Sequence, residues 1–414
     1  MNNYDVIIIG AGAAGMMCAI EAGKRGRSVL ILEKADKVGK KILISGGGRC
    51  NFTNMFTEPD NFLSNNEHFC KSALSRYTQW DFIGLVESHD LTWTEKTLGQ
   101  LFCDQKSKAI VQMLVDECKQ AGVDIELNAE IITIKHDGES SEKQSYSVET
   151  PQTDYQCEAL VVATGGPSIP KMGATEYALN VAEQFNLTTV PFSAALVPFI
   201  FTVDILDEFI KELSGISTFV EMNVIPKKKT SKSGGVSLQS FKENILFTHR
   251  GISGPAALQI SSYWELGDSI NINLFPDFDL FSWLKEQQKE HPQAELKTIL
   301  NYKLPKRLVT KICQTVISPK FERKVLSSFK DEQFTEVVNQ LENWQITPSG
   351  TEGMRTAEVA LGGVDTSELS SKTFEAKKQA GLYFVGEAID VTGHLGGFNF
   401  QWAWASGWCA GQVV

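Results

Sequence analysis

The feature that most constrains this chain is a short glycine-rich loop near its start, Gly10-Ala11-Gly12-Ala13-Ala14-Gly15. A β-branched run from Tyr4 to Ile9 precedes the loop, and small residues with helical character follow it from Ala13 to Gly26. A second apolar run, Ser28 to Glu33, completes a β-α-β unit. This context predicts a Rossmann-like, dinucleotide-binding α/β unit.

The loop and its neighbours have the chemistry that a dinucleotide needs. Its three glycines permit, in chain order, a tight turn, a close approach to a pyrophosphate and close packing of helix on strand. The amides of Ala13 and Ala14 and the positive end of the helix favour a diphosphate. Glu33 can accept hydrogen bonds from ribose hydroxyls, and its charge would repel a 2′-phosphate.

Two later segments favour FAD over NAD. A strand from Leu160 runs into Ala163-Thr164-Gly165, whose backbone can close over the cofactor from the facing strand. A late strand runs into Gly386-Glu387, with Asp390 beyond, a pattern suited to holding a ribityl chain. We therefore expect non-covalently bound FAD. No second Gly-x-Gly-x-x-Gly follows a strand after Glu33, so NAD(P)H is expected at most as a transient electron donor, and oxygen stays open as an acceptor.

Two further glycine-rich segments are candidates for the flavin itself. Ser45-Gly46-Gly47-Gly48-Arg49-Cys50-Asn51 contains three glycines that are costly to order unless the backbone must lie against a flat ligand. Gly397-Phe398-Asn399 lies in a glycine-rich segment, 393–400, just before the last helix, which is predicted over Trp402–Ala410; bare amides at a helix N-terminus suit negative charge on a reduced flavin. Cys50 and His394 are interpreted as structural. The remaining candidate cofactor-binding residues are Lys34, Lys41 and Ile131. No catalytic residue and no metal site is predicted.

The combination of motifs resembles one family along essentially the whole chain. The motifs that carry the resemblance are 45–51, 247–255 (Phe-Thr-His-Arg-Gly-Ile-Ser-Gly-Pro) and 386–403. They are similar to bacterial NAD(P)/FAD-dependent oxidoreductases that include aminoacetone oxidase-like enzymes and bile-acid-pathway reductases, within the glutathione-reductase-like FAD superfamily. Where that family continues with Gly-Asp-Gly, this chain has Glu176-Tyr177-Ala178.

The resemblance implies an α/β fold with a Rossmann-like FAD domain built from both ends of the chain. We expect this domain, with a three-layer ββα sheet, to comprise residues 1–190 and 350–414. An inserted domain is expected over 191–349, β-rich over 191–275 and helical over 276–349. Between residues 124 and 163 the alternating runs predict a β-meander, with a turn at Asp137-Gly138.

The expected function is that of an FAD-dependent oxidoreductase acting on a small amine, alcohol or enone. The net charge of −11, with no Lys/Arg patch recognised, argues against a nucleic acid or an anionic membrane as partner. Two alternatives stay open, a flavin-binding regulator without turnover and an RNA-modifying flavoprotein. The chain has no apolar stretch of the roughly 20 residues that span a bilayer and no Cys-x-x-Cys pair, so a cytoplasmic location is expected; the oligomeric state is left open.

Overall fold

The computed structural model describes residues 2–136, 145–227, 239–321 and 323–414. The turn predicted at Asp137-Gly138 lies outside these residues. The described strands are β1 (Asn2–Ile9), β2 (Val29–Glu33), β3 (Asn51–Asn54), β4 (Phe62–Leu63), β5 (Trp93–Glu95), β6 (Gln100–Cys103), β7 (Asp124–Leu127), β8 (Thr133–His136), β9 (Tyr146–Glu149), β10 (Asp154–Val162), β11 (Thr189–Ala195), β12 (Phe199–Ile200), β13 (Ser217–Ile225), β14 (Ser240–Phe247), β15 (Gly251–Ser253), β16 (Ser269–Asn273), β17 (Trp344–Ile346), β18 (Gly350–Thr351), β19 (Val359–Val364), β20 (Glu375–Ala376), β21 (Gln379–Phe384) and β22 (Thr392–Gly393).

The described helices are α1 (Ala13–Lys24), α2 (Lys40–Gly48), α3 (Lys71–Arg76), α4 (Gln79–Ser88), α5 (Ser107–Gln120), α6 (Tyr177–Gln184), α7 (Val203–Ile205), α8 (Pro255–Ser261), α9 (Leu280–Glu290), α10 (Leu296–Leu300), α11 (Lys306–Thr315), α12 (Asp331–Glu342) and α13 (Phe398–Gly411). The chain divides into two compact units. The first comprises Met1–Ser193 and Glu358–Val414, and the second comprises Ala194–Ala357.

The first unit is built on a mixed sheet with the order β20-β21-β10-β1-β2-β7. From β21 to β7 all neighbours are parallel. The apolar run of β1 is buried from Val6 to Ile9, as expected for a central strand covered on both faces. Because the carboxyl ends of parallel strands meet at one edge, the segments that follow β1, β2, β10 and β21 converge there, where ligands bind in open α/β sheets. The Rossmann-like α/β fold predicted from the sequence is confirmed.

One strand was wrongly assigned to the meander. Residues Asp124–Leu127 form β7, which pairs in parallel with β2, whereas the antiparallel meander consists of β8, β9 and β10. A four-residue run carries too little periodicity to distinguish these pairings. The preceding helix α5 supplies the crossover that a parallel neighbour requires.

The second unit has a seven-stranded antiparallel sheet with the order β17-β16-β13-β14-β15-β12-β18. Residues of α9 to α12, including Leu284, Leu308 and Phe334, are buried in one core with this sheet. The chain then returns to the sheet as β17 and β18, so the region 276–349 is not purely helical. Since β18 pairs with β12, residues 350–357 lie in the second unit, and 191–193 lie in the first.

Within the described ranges, none of the helices has the length and apolar character needed to cross a bilayer. The eight cysteines all lie within the described residues, all are buried, and none of them forms a disulfide bond.

Candidate cofactor site

The loop between β1 and α1 is packed so closely that only glycine fits at two of its positions. Gly10 has φ +108°, and a Cβ built on it would lie 2.7 Å from the carbonyl oxygen of Ala163. A Cβ on Gly15 would overlap the carbonyl oxygen of Gly10. Strand β1, helix α1 and the end of β10 therefore meet backbone to backbone, as the sequence pattern predicts.

Gly12 is different because it faces open space. A Cβ there would have no neighbour within 4 Å. Gly12 is the N-cap of α1, no side chain caps the helix, and its first turn carries no acidic residue. The amides at the start of α1, including those of Ala13 and Ala14, thus border an open cradle at the positive end of a helix. A diphosphate is the group that such a cradle suits.

Glu33 is fixed beside this cradle by its own backbone neighbours. Its Oε2 accepts a hydrogen bond from the amide of Ala11 at 2.8 Å, and its Oε1 accepts one from the amide of Ala35 at 2.8 Å. Each oxygen retains a lone pair that can accept from a ribose hydroxyl. Ile131 lies just beyond the point where the amide of Ala129 donates to the carbonyl of Glu33 at 2.9 Å.

Thr164 supplies an independent observation that a ligand fits here. Its Oγ1 is buried and has no hydrogen-bond partner among the described residues. The neighbouring amide of Ala163 donates to the carbonyl of Ile9 at 2.9 Å, and Gly165 has φ +68°. A buried hydroxyl without a partner costs free energy unless something binds it. Together with the open cradle at Gly12, it fits a polar cofactor such as FAD at this edge of the sheet.

Two of the predicted cofactor-binding side chains satisfy each other instead. The Nζ of Lys41 lies 2.8 Å from Oε2 of Glu387 and 2.8 Å from Oγ of Ser168. Oε1 of Glu387 accepts from the amide of Ala360 at 2.9 Å. This network lies beside Gly166, whose Cβ would meet Oε1 of Glu387 at 3.0 Å. Lys41 and Glu387 therefore tie β19 to the segment after β10 and act as supports of the site.

Lys34 also has another partner. Its Nζ lies 2.7 Å from Oε1 of Glu130, and both side chains are mostly exposed. The structure thus places Lys34 in a surface ion pair next to the ribose-binding edge.

The segment after β21 is held against α1 and α13 by residues that the sequence analysis did not single out. A Cβ on Gly386 would lie 2.9 Å from Cβ of Ala14. The amide of Gly386 donates to Oγ of Ser406 at 3.0 Å, and its carbonyl accepts from Nε1 of Trp402 at 3.0 Å. Asp390 is buried, its Oδ2 accepts from the amide of Asn65 at 3.1 Å, and burial raises the pKa of its carboxyl group.

The triple glycine ends helix α2 in a left-handed turn. Gly46-Gly47-Gly48 all have positive φ, between +54° and +81°. A Cβ on Gly46 would lie 2.8 Å from the ring of Phe102, and Oγ of Ser107 donates to the carbonyls of Leu43 and Gly48 at 2.9 and 3.0 Å. Arg49 is exposed, with its guanidinium 5.6 Å from the centroid of the Phe102 ring. Phe102 and Ser107 therefore fix the turn on one side, while Gly47 and Gly48 have free space on the other side that a ligand can occupy.

The structure brings the triple-glycine segment and the start of α13 together. With its side-chain amide oriented to satisfy its neighbours, the side-chain oxygen of Asn51 accepts a hydrogen bond from the backbone amide of Gly397 at 3.2 Å. Asn54 donates to the carbonyl of Gly396 at 2.9 Å. Asn399 folds back on Gly393, accepting from its amide at 2.8 Å and donating to its carbonyl at 2.7 Å. The N-cap of α13 has no side-chain hydrogen bond and its first turn has no acidic residue, so this positive helix end also suits an anionic group.

Two side chains of this region, Cys50 and His394, are held in their neutral forms by burial. Cys50 is buried, and burial raises the pKa of its thiol to about 12. His394 is also buried, and burial lowers the pKa of its imidazole to about 4. In the described part of the chain no group of three or more His, Cys, Asp or Glu side chains could hold a metal ion.

Comparison of the sequence with known proteins identifies its family. The family model described as "HI0933-like protein Rossmann domain" matches residues 4–413. The chain is 50% identical to a ribosomal RNA dihydrouridine synthase of Escherichia coli, over 100% of this chain and 98% of that protein. It is 46% identical to a protein of the same name in Haemophilus influenzae, over 99% and 98%. It is 24% identical to a 3-dehydro-bile acid delta(4,6)-reductase of Clostridium scindens, over 98% of each chain.

Proposed function

Because the chain belongs to the HI0933-like family of FAD-binding Rossmann proteins and is a flavin-dependent oxidoreductase, we propose that it reduces a uridine of ribosomal RNA to dihydrouridine. The observation that carries the proposal is full-length identity of 50% and 46% to two proteins with that name. It favours the RNA-modifying alternative over the small amine, alcohol or enone expected from the sequence.

The reaction is the reduction of a conjugated double bond. The C5=C6 bond of uracil is polarised by the C4 carbonyl, so C6 accepts a hydride and C5 then takes a proton. Bound FAD supplies hydride transfer once it is reduced. We propose NAD(P)H as the transient source of the two electrons, so that uridine, NAD(P)H and a proton become dihydrouridine and NAD(P)⁺.

The residues of the chain contribute binding and electrostatics to this reaction. The amides that border Gly12 would hold the diphosphate, Glu33 would accept from the ribose and the hydroxyl of Thr164 would gain the partner it lacks. The start of α13, joined to the triple-glycine turn through Asn51 and Gly397, would offer a positive helix end to the negative charge of a reduced flavin.

The proposal is tested with purified protein, ribosomal RNA transcribed in vitro and NADH or NADPH under anaerobic conditions. We expect dihydrouridine in the digested RNA by mass spectrometry and reoxidation of the NAD(P)H-reduced flavin when the RNA is added. A flavin that is bleached by NAD(P)H but leaves every uridine intact would refute the RNA function and return attention to small substrates. Protein freed of FAD is the control for uncatalysed reduction.

A further inference from the structure

The basic residues of this acidic chain are distributed very unevenly. Residues 296–330, which we call the basic segment, contain nine Lys or Arg residues and one acidic residue, although the chain as a whole has a net charge of −11. The nine basic residues are Lys297, Lys303, Lys306, Arg307, Lys311, Lys320, Arg323, Lys324 and Lys330. Such a concentration of positive charge needs an explanation beyond solubility, which the net negative charge already provides.

The basic segment is a folded surface of the second unit. Helix α10, helix α11 and the turns up to α12 bury apolar side chains such as Leu308, Ile312 and Phe321 in the core of that unit. The segment folds back on itself, since the amide of Leu296 donates to the carbonyl of Lys324 at 3.4 Å. With the apolar side chains directed inward, most of the basic ones are exposed.

Few of these charges are neutralised within the chain. Among the described residues, carboxylates pair with two of the nine: Glu212 lies 2.8 Å from Lys311, and Glu336 lies 2.7 Å from Lys320. Lys306, Arg323 and Lys330 are exposed and have no carboxylate partner in the described ranges. A surface with this many uncompensated cations attracts a polyanion.

An aromatic groove adjoins the basic segment. The groove has a volume of about 740 Å³ and is lined by Phe278, Phe281 and Trp283 together with one serine, two lysines and two glutamates. The Nζ of Lys303, from the basic segment, lies 4.7 Å from the ring centroid of Phe278 and 5.6 Å from that of Trp283. Cations beside accessible aromatic rings are what single-stranded RNA uses, because phosphates meet the cations and unstacked bases meet the rings.

We infer that the basic segment, 296–330, is the surface on which this protein docks ribosomal RNA through its phosphate backbone, an assignment that rests on the proposed function. RNA docking and redox chemistry then use different parts of the chain: the candidate cofactor site belongs to the first unit, and the basic segment belongs to the second. The occupant is a ribosomal RNA strand because the segment offers many separate cations spread along exposed turns rather than one enclosed anion pocket.

The test compares two triple variants with the same change in charge. Lys306→Gln, Arg323→Gln and Lys330→Gln remove three exposed cations of the basic segment; Lys71→Gln, Lys108→Gln and Lys119→Gln remove three exposed cations of the first unit. Affinity for ribosomal RNA transcripts is measured by fluorescence anisotropy between 0.05 and 0.3 M salt. Each lost phosphate contact lowers the salt slope by ~0.7–0.9, so we expect the slope to fall by about 2 and affinity at 0.1 M salt to fall about 100-fold in the first variant only.

FAD content and the rate of flavin reduction by NAD(P)H are measured in both variants, and we expect both to match the wild type. Equal loss of RNA affinity in the two variants, or none in the first, would overturn the inference. Binding to vesicles of phosphatidylglycerol in preference to RNA, lost in the first variant, would also overturn it. Dihydrouridine formation by the wild-type protein is scored separately: its absence refutes the proposed function, while the binding comparison still decides the docking surface.

Discussion

Gly12→Ala separates cofactor binding from folding. Gly12 has φ −84° and ψ −171°, which alanine adopts freely, and its Cβ would meet nothing within 4 Å. The cost to the fold is therefore confined to a poorer N-cap, about 0.5–1 kcal/mol. In the bound state, however, the new methyl group would occupy the cradle and push the diphosphate away from the amides at the start of α1.

The loss of affinity can be estimated from those hydrogen bonds. A hydrogen bond to a charged group contributes about 1.5–3 kcal/mol, so losing one or two costs about 3 kcal/mol, or about 100-fold in the dissociation constant for FAD. The assay is titration of the apoprotein with FAD by flavin fluorescence, with circular dichroism as the check on folding. Gly84→Ala is the matched control, because Gly84 is an exposed glycine of α4 whose Cβ would also have no neighbour within 4 Å. If Gly12→Ala folds and binds FAD as tightly as Gly84→Ala does, the diphosphate does not lie at this loop.

Two further predictions concern stability. Gly15→Ala should destabilise the protein by about 3 kcal/mol, because the new Cβ would overlap the carbonyl oxygen of Gly10, a backbone atom that cannot move aside. Urea unfolding measures the free energy of unfolding, and a smaller loss for Gly15→Ala than for Gly12→Ala would contradict the prediction. Burial lowers the pKa of His394 from 6.5 to about 4, so the unfolded chain takes up a proton that the folded protein refuses. Stability should accordingly fall as the pH falls from 6.5 to 4, by about 3 kcal/mol in total from this residue. His394→Gln should show a weaker loss of stability between pH 7 and pH 5 than the wild type, and parallel curves for the two proteins would refute the assignment.

The parts of the fold that could be predicted are those with short-range signals. The loop at 10–15, the strands around it and the presence of a last helix follow from glycine spacing and apolar runs, although α13 begins at Phe398 and not at Trp402 as predicted. The relation between Lys41 and Glu387 could not be foreseen, because their ion pair joins residues 346 positions apart. Ser406 and Trp402 hold Gly386 through contacts that depend on how α13 packs, which no local pattern encodes. The pairing of β7 with β2 likewise depends on tertiary packing and not on its four residues.

The basic segment is not visible in the net charge of the chain. The value of −11 is a sum over all residues, and it hides a stretch in which nine of the ten charged side chains are positive. The sequence does carry this signal, because it is local and appears when charge is counted over short stretches of the chain. Net charge describes colloidal behaviour and long-range repulsion, whereas docking depends on the charge within about a Debye length of the contact.

The division of the first unit between distant parts of the chain has a consequence for protein synthesis. Strand β21 completes the parallel sheet beside β10, and α13 packs on α1, yet both are translated only after the whole of Ala194–Ala357. At ~5–20 residues per second the ribosome needs about 10–30 s for that stretch. The second unit, with its own sheet and core, can fold during this interval, while the end of β10 at Leu160–Val162 still lacks the neighbour that β21 later provides. FAD capture is thus a late event in the life of the nascent chain, and translation stalled before residue 379 should yield a folded second unit that retains no flavin.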